Sequence, residues 1–493
     1  MKLEHYINGI TVAEQRGEAN PDIVSITFDS RKAGKGVMFV AMRGTKTDGH
    51  NYIDAAVRAG SPVIVCERAP EGNFPNTVFI RVNDTAETLG HLANIHYGNP
   101  AQQLQLVGVT GTNGKTTIAT LLYRLAMEMG YKAGLCSTIA NYIDGMMFET
   151  ANTTPDALTL NSLIRQMVDA GCTYCFMEVS SHAVVQQRIG GLKFKGGIFT
   201  NLTHDHLDYH GTFDAYLKAK KMFFDNLGKD AFALVNVDDR NGRVMMQNTA
   251  AAQYTYSLRE MADYRTKIIE SIAEGMQLSI KGNEFWTPLI GAFNASNLTA
   301  VYGAAELLGW NTDEILVNLS KQTSVDGRFE TIRAANGVTA IVDYAHTPDA
   351  LKNVIEAINA IRKPGNRLLI VIGAGGDRDP LKRPAMAREA VEGGDLVILT
   401  ADNPRSEDPE AIIDQMLTGI SEANRYRVLC IANRREAIRA ACLSAQSGDM
   451  VLIAGKGHET YQEVKGERKY FDDREVVRHH FSMVNELKNY TQA

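Results

Sequence analysis

The chain has 493 residues, 44% of them hydrophobic and 22% charged, with a formal net charge of −6. This length predicts about three domains of roughly 150 residues each, with enough apolar material for ordinary cores. The slightly acidic balance offers nucleic acid and anionic membranes no bulk attraction. No apolar run approaches the ~18 residues of a membrane span, and the start, Met1-Lys-Leu-Glu-His-Tyr6, lacks a signal-peptide core, so a soluble cytoplasmic protein is expected.

Residues 1–88 alternate short apolar strands, at 24–28, 36–41, 61–66 and 77–80, with turns and a helix at 53–59. Two polar loops close strands there, Asp29-Ser30-Arg31 and Thr45-Lys46-Thr47-Asp48-Gly49. They are a binding rim or merely turns.

Residues 89–330 carry strands at 104–110, 174–180, 196–202 and 231–237 with helices between them, the pattern of a doubly wound, mostly parallel sheet. The first strand runs into Thr110-Gly111-Thr112-Asn113-Gly114-Lys115-Thr116-Thr117. Ile118, Leu121, Leu122, Leu125 and Met129 then recur at helical spacing. A glycine-rich turn at a helix start points backbone N–H groups outward and cradles phosphate. Lys115 can neutralise outer phosphates, and the Thr116 hydroxyl can take a Mg²⁺ ligand position. The strict phosphate-loop spacing is not met, because Val109 stands at the first glycine position. Nucleotide binding is nevertheless expected.

Two further strand ends carry chemistry. Glu178, in Met177-Glu-Val-Ser180-Ser181-His182, can bind Mg²⁺. The stretch Asn201-Leu-Thr-His204-Asp205-His206-Leu-Asp208-Tyr-His210-Gly211 leaves three readings open: a Mg²⁺ site beside the nucleotide, a solvated loop, or zinc. Extended alternation would set His204, His206, Asp208 and His210 on one side of a strand. Cys172-Thr-Tyr-Cys175 opens an apolar run and reads as structural thiols. Asn294-Ala-Ser-Asn297 opens a helix to Leu308.

Residues 331–493 form a second α/β unit, with apolar runs at 340–343, 368–372, 396–399, 428–431 and 451–454. The loops after these runs are polar or glycine-rich: Tyr344-Ala-His346-Thr-Pro-Asp349, Gly373-Ala-Gly-Gly-Asp377-Arg378-Asp379, Asp402-Asn403-Pro404-Arg405 and Gly455-Lys456-Gly457-His458-Glu459. Charged loops at one sheet edge suit a small zwitterion, whose carboxylate Arg405 can grip bidentately. A phosphate loop beside a pocket for a charged metabolite fits ATP-driven ligation through an acyl phosphate, in which positioning and charge neutralisation do most of the work.

The whole chain resembles the Mur ligase family. The motifs that carry the resemblance are Thr110–Thr116, Glu178-Val-Ser-Ser-His182, Asn201-Leu-Thr-His-Asp-His206, Asp343-Tyr-Ala-His346, Gly376-Asp-Arg378-Asp, Asp402-Asn-Pro-Arg405 and Gly455-Lys-Gly-His-Glu459. The resemblance implies an α/β fold of three domains: a smaller N-terminal domain for the UDP end (1–88), a central phosphate-loop ATPase (89–330) and a C-terminal Rossmann-like domain for the incoming amino acid (331–493). It implies catalytic roles for Lys115, Glu178, His206 and Lys220, and ATP contacts from Gly111 to Thr117 and from Asn294, Arg328, Asp343 and His346. Ser30, Thr45, Lys46 and Thr47 would lie near the uridine. Asn152, Thr153, Thr154, Pro155, Asp156, Ser180, Gln186 and Arg188 would hold the muramoyl peptide and its pyrophosphate. Residues 45–47 read Thr-Lys-Thr, where other members often differ.

From sequence alone Lys220 is a solvated helix residue among Lys218 and Lys221. By resemblance it becomes an N-carboxylysine, an anion that bridges Mg²⁺ together with Thr116, Glu178 and His206. The Asp402-Asn-Pro-Arg405 form is similar to that of diaminopimelate-adding members. It implies meso-2,6-diaminopimelate as amine, held by Arg378, Asp402, Asn403, Pro404, Arg405, Gly455 and Glu459. The implied acceptor is UDP-N-acetylmuramoyl-L-alanyl-D-glutamate, in peptidoglycan precursor synthesis, with a monomeric protein. The alternatives are a phosphate-loop NTPase that drives conformational change or partner binding, a folylpolyglutamate-synthetase-like ligase, and an inactive ATP-binding relative.

Overall fold

A computed structural model describes residues 1–492 apart from 45, 46, 73, 151 and 206, and their side chains apart from those of 208 and 484–492. The predicted apolar runs become strands of three separate sheets. In the first, the order is Glu14–Arg16, Val78–Arg81, Val63–Cys66, Val37–Val40 and Ser25–Thr27, parallel except for the antiparallel edge at Glu14–Arg16. Helix Thr85–His96 starts at Asp84, whose side chain accepts from the Ala86 and Glu87 amides. The expected boundary at 88 falls inside this helix, and Leu89, Leu92 and Ala93 pack into the N-terminal core.

The central sheet has eleven strands. Its middle is parallel and runs Phe232–Asn236, Gly196–Phe199, Gln105–Thr110, Tyr174–Glu178, Ala133–Cys136. A hairpin, Asn141–Ile143 and Met146–Phe148, extends one edge. Four strands between 252 and 287 extend the other, the last two antiparallel. These four were not expected from the sequence. Tyr264–Ile272 shows why: its Arg265, Lys267 and Glu270 keep one face polar, so it lacks the unbroken apolar run of a strand covered on both sides.

The third sheet is ordered Glu330–Arg333, Thr339–Asp343, Met450–Ala454, Leu368–Ala374, Leu396–Ala401, Val428–Cys430, with only the first strand antiparallel. Leu368 to Ile372 are all fully covered, and each such side chain contributes about 1.5–3 kcal/mol on burial. The carboxyl ends of its four central strands therefore lie side by side, which gathers Asp343, Gly455, Gly375 and Asp402. No helix among the described residues is long and apolar enough to cross a membrane.

One buried ion pair ties this unit together. Arg434 and Asp473 are both 0% exposed; the guanidinium donates to the two carboxylate oxygens at 2.8 and 2.7 Å and to the Ala454 carbonyl at 3.0 Å. The pair thus joins helix Arg434–Ser444, strand Met450–Ala454 and the start of helix Asp473–Gln492. Removing one member leaves the other charge buried and unpaired. Asp473→Ala should lower stability by about 3–5 kcal/mol in urea unfolding of the full chain. A loss under about 1 kcal/mol would contradict this role.

Candidate active site

The phosphate loop lies between strand Gln105–Thr110 and helix Lys115–Glu128. Gly111, at φ 150°, passes so close to Thr200 that a Cβ there would meet its Oγ1 at 1.8 Å. Gly114 caps the helix at φ 87°. Asn201 braces the loop: its Oδ1 accepts from the Asn113 amide at 2.9 Å, and its carbonyl accepts from the Thr112 amide at 2.8 Å. Gly108, one residue before the strict motif position, belongs to packing instead, since a Cβ there would meet Phe223 at 2.7 Å and Val179 at 2.9 Å.

Two lysines converge on this loop. Lys115 Nζ donates to the Gly111 and Thr112 carbonyls at 2.9 and 2.8 Å. Lys220 Nζ donates to the same Gly111 carbonyl at 2.8 Å and sits over the Tyr216 ring, 4.7 Å from its centroid. The solvated reading of Lys220 is therefore corrected. It is 1% exposed, on the inward stripe with Tyr216 and Phe223, while exposed Lys218 pairs with Asp214. Burial, reinforced by Lys115, drives the Lys220 amine well below the usual lysine range, with Asp205 opposing. Burial also lowers Lys115, while the Glu178 and Asp205 charges oppose it.

Glu178 is fully buried. Its Oε1 accepts from the Thr138 amide at 2.7 Å, and its Oε2 has no hydrogen-bond partner among the described residues. An orphaned carboxylate oxygen lining a cavity with Thr116 and Lys115 fits a divalent cation. No group of three His, Cys, Asp or Glu that could hold a metal occurs among the described residues. The expected strand alternation after Asn201 is corrected too: the backbone of Leu207–His210 is a helical turn, not an extended strand. His206 lies outside the described residues. Cys172 and Cys175 are buried free thiols.

The cavity, of about 580 Å³, is lined from both larger units. The central unit supplies residues 112–117, Glu178, Asn294 and Asn297; the C-terminal unit supplies Asp343, His346 and Asp349, and Arg328 lines it from the connection between them. Arg328 donates to Thr116 Oγ1 at 3.2 Å and stacks 4.4 Å over the Tyr344 ring. Asp343 accepts from the Phe329 and Ala345 amides, each at 2.7 Å, and burial raises its carboxyl. His346 is exposed at the rim. Asn294 does not cap its helix, as the sequence suggested; Gly291, at φ 96°, holds that position, and the Asn294 side chain donates to the Ile290 carbonyl at 2.8 Å.

Sequence reasoning assigned no role to two cross-unit contacts. Asp349 accepts from Asn113 Nδ2 at 3.3 Å, and Lys382 pairs with Asp205 at 2.6 Å with little of either side chain exposed. Asp349 stands in the quoted Tyr344–Asp349 loop; nothing in the pattern around Lys382 marked it.

Of the residues expected around the muramoyl peptide, Thr154, Ser180, Gln186 and Arg188 form one cluster. Arg188 donates to the Thr154 carbonyl at 2.7 Å and to Gln186 Oε1 at 3.0 and 2.7 Å. Thr154 Oγ1 donates to the Glu178 carbonyl at 2.8 Å. Thr153 and Ser180 reach the cavity. Asn152 and Pro155 lie in the same loop, and Asp156 caps helix Ala157–Asp169. Ser30 opens a short 3-10 helix, Ser30–Lys32, and Thr47 lies in a loop of the N-terminal unit; neither lines the cavity. Thr45 and Lys46 lie outside the described residues.

The third cluster gathers at the carboxyl ends of the C-terminal sheet. Arg405, at φ 52°, donates to the Gly376 carbonyl at 2.6 Å. Asp402 is buried, its carboxyl raised by that burial, and a Cβ on Gly455 would meet its Oδ2 at 2.3 Å. Asn403 donates to Glu459 Oε2 at 2.8 Å. A Cβ on Gly376 would meet the Pro404 carbonyl at 1.9 Å, so the loops carrying Arg378 and Arg405 touch. Arg383, 1% exposed and not anticipated, braces them by a paired contact to Glu407 at 2.8 Å and one to the Gly375 carbonyl at 3.2 Å. Arg383 holds the Glu407 carboxyl down to about 2.

Fold and site together define a three-domain α/β phosphate-loop protein. Sequence profiles match along the chain: "Mur ligase family, catalytic domain" over residues 22–97, "Mur ligase middle domain" over 109–305 and "Mur ligase, glutamate ligase domain" over 327–457. The chain belongs to the Mur ligase family, whose members are ATP-dependent ligases. It is 56% identical over 482 residues to a Phocaeicola vulgatus protein named UDP-N-acetylmuramoyl-L-alanyl-D-glutamate–2,6-diaminopimelate ligase, covering 98% of this chain and 100% of that one. A Geobacillus kaustophilus protein of the same name is 42% identical, over 93% and 95% of the two chains. A solved structure of that name matches at TM-score 0.68 and 34% identity, covering 94% and 95%. The fold alone is shared with a MurF ligase from Thermotoga maritima in complex with ADP, at TM-score 0.62 and 19% identity, over 94% and 98%.

The buried Lys220 has a pH signature. Its folded-state affinity for a proton is depressed, so below the ordinary lysine range the unfolded chain holds a proton that the folded chain lacks. Stability from this group therefore rises with pH. Lys220→Met should flatten that rise, by up to about 1.4 kcal/mol per pH unit, in urea titrations at pH values just below the ordinary lysine range of about 10. An unchanged slope would contradict it.

Proposed function

We propose that this chain joins diaminopimelate to UDP-N-acetylmuramoyl-L-alanyl-D-glutamate using ATP, a step of peptidoglycan precursor synthesis. The observation that carries this reading is the shared chamber: one cavity of about 580 Å³ is lined by the phosphate loop of one unit and by Asp343 and Asp349 of another. The names of the relatives at 51–56% identity support it.

The backbone amides of Gly111 to Thr117 and the Lys115 ammonium hold the triphosphate, with Asn294, Arg328, Asp343 and His346 around the nucleotide. The glutamyl carboxylate attacks the γ-phosphorus, the bond to the bridging oxygen breaks, and ADP leaves. The free amine then attacks the acyl phosphate, a C–N bond forms, and phosphate departs while the amine gives up its proton. Lys115 and the loop amides offset charge in both steps. A bound Mg²⁺ would neutralise phosphate oxygens, held by Thr116, Glu178, His206 and the carbamate of Lys220. Lys220 is suited to that modification because its depressed amine is nucleophilic toward CO₂: an N–C bond forms, a proton leaves and a cation becomes an anion.

The uridine falls to Ser30, Thr45, Lys46 and Thr47, as the family resemblance implies. Asn152 to Asp156, Ser180, Gln186 and Arg188 take the pyrophosphate and peptide. Arg405 exchanges the Gly376 carbonyl for the distal carboxylate of diaminopimelate, with Arg378, Asp402, Asn403, Pro404, Gly455 and Glu459 completing the pocket. The three units serve the UDP end, ATP and the amino acid in chain order. The protein works as a cytoplasmic monomer without a membrane or nucleic-acid partner.

Two measurements test this. In an ATP-dependent ligation assay the wild type should use diaminopimelate and reject lysine, and Arg405→Ala should erase about 100-fold or more of that preference while still binding ATP. Phosphate release at an equal rate without any amine would instead favour a plain NTPase. ¹³C-bicarbonate should give a carbamate carbonyl resonance that Lys220→Met lacks; the same spectrum from both proteins would remove the modification.

A further inference from the structure

Lys456 follows strand Met450–Ala454 and has no exposed side-chain surface. A lysine is almost never fully buried unless paired, so its partners say what it is for. Nζ donates to Glu459 Oε2 at 3.0 Å and to Asn403 Oδ1 at 3.2 Å, and lies 5.3 Å from the centroid of the Tyr461 ring. Asn403 closes a triangle, because its Nδ2 donates to the same Glu459 oxygen at 2.8 Å.

Two consequences follow from this geometry. Oε2 of Glu459 is occupied by two donors, whereas Oε1 takes no hydrogen bond among the described residues. The carboxylate is thus held by one oxygen and offers the other. The Asn403 Oδ1 that Lys456 grips also accepts from the Glu463 amide at 3.0 Å, and the Glu463 carbonyl accepts from the Arg405 amide at 3.0 Å. Lys456 therefore clamps the 402–405 loop to the 455–463 loop, with the unusual backbone of Arg405, at φ 52°, inside the clamp.

We infer that Lys456 is a positioning residue of the amino-acid pocket, which locks Glu459 and Asn403 so that the open oxygen of Glu459 receives an ammonium group of the incoming diamino acid. This rests on reading that pocket as the amine site. Lys456 does not touch the substrate. Its ammonium offsets the Glu459 charge from behind and leaves one accepting oxygen toward the ligand.

The test is steady-state ligation by the full chain. Lys456→Met should raise KM for diaminopimelate about tenfold or more, the worth of a charge-assisted hydrogen bond, with KM for ATP and for the UDP-dipeptide unchanged. Lys456→Gln keeps a donor for Glu459 and should fall between the two; it carries the test alone if Lys456→Met does not fold. In a Glu459→Ala background either substitution should cost clearly less than in the wild type, because one of the two groups being positioned is gone and only the hold on Asn403 remains. A wild-type KM for diaminopimelate in both variants, or full additivity with Glu459→Ala, would overturn the inference while leaving the ligase reading intact. A wild type that cannot ligate diaminopimelate would overturn both.

Discussion

A single carbonyl oxygen, that of Gly111, receives the side-chain nitrogens of two lysines, Lys115 and Lys220, at 2.9 and 2.8 Å. Two like charges cannot share one acceptor in a buried site without penalty. Burial lowers both amines, and Lys220, which also feels the Lys115 charge, falls well below the usual lysine range, while Lys115 is only partly buried and lines the cavity. Beside them Glu178 holds an oxygen with no donor among the described residues. The loop is therefore unbalanced electrostatically by itself, which suits it to a charged ligand such as a nucleotide. Gly111 makes this possible, since a side chain there would collide with Thr200.

The second requirement is that an activated carboxyl and an amine meet. Both larger units present their loops at the carboxyl ends of parallel strands, where open α/β sheets place ligands. Polar contacts hold those ends against one another: Lys382 with Asp205, Asp349 with Asn113, and Arg328 with Thr116. Each joins a phosphate-loop or adjacent residue to the unit that carries the Arg405 cluster or to its connection. Burial raises the Asp349 carboxyl, with Thr203 opposing.

Much of this was legible in the chain. Strands 105–110, 174–178, 368–374 and 450–454 are covered on both faces, so their sequences are unbroken apolar runs, and glycine or charge marks their ends. The strands between 252 and 287 hid because one face stays wet. Lys220 was readable in principle: Tyr216, Ala219, Lys220 and Phe223 fall at helical spacing on one buried stripe. Its lysine neighbours drew attention to charge instead of periodicity. Lys456 stood in a quoted motif, three residues from Glu459, but its burial, like that of Arg383, shows only through partners distant in sequence, Asn403 for one and Glu407 for the other. The order of the third sheet is likewise a long-range fact that no local pattern contains.

Ligation by this route depends on ATP activating the glutamyl carboxylate itself, and oxygen tracing tests that step. When the UDP-dipeptide carries ¹⁸O in that carboxylate and is ligated by this protein, one labelled oxygen should leave in the inorganic phosphate. Phosphate released without label during full product formation would contradict an acyl phosphate and, with it, the part played by the Lys115 loop in forming one.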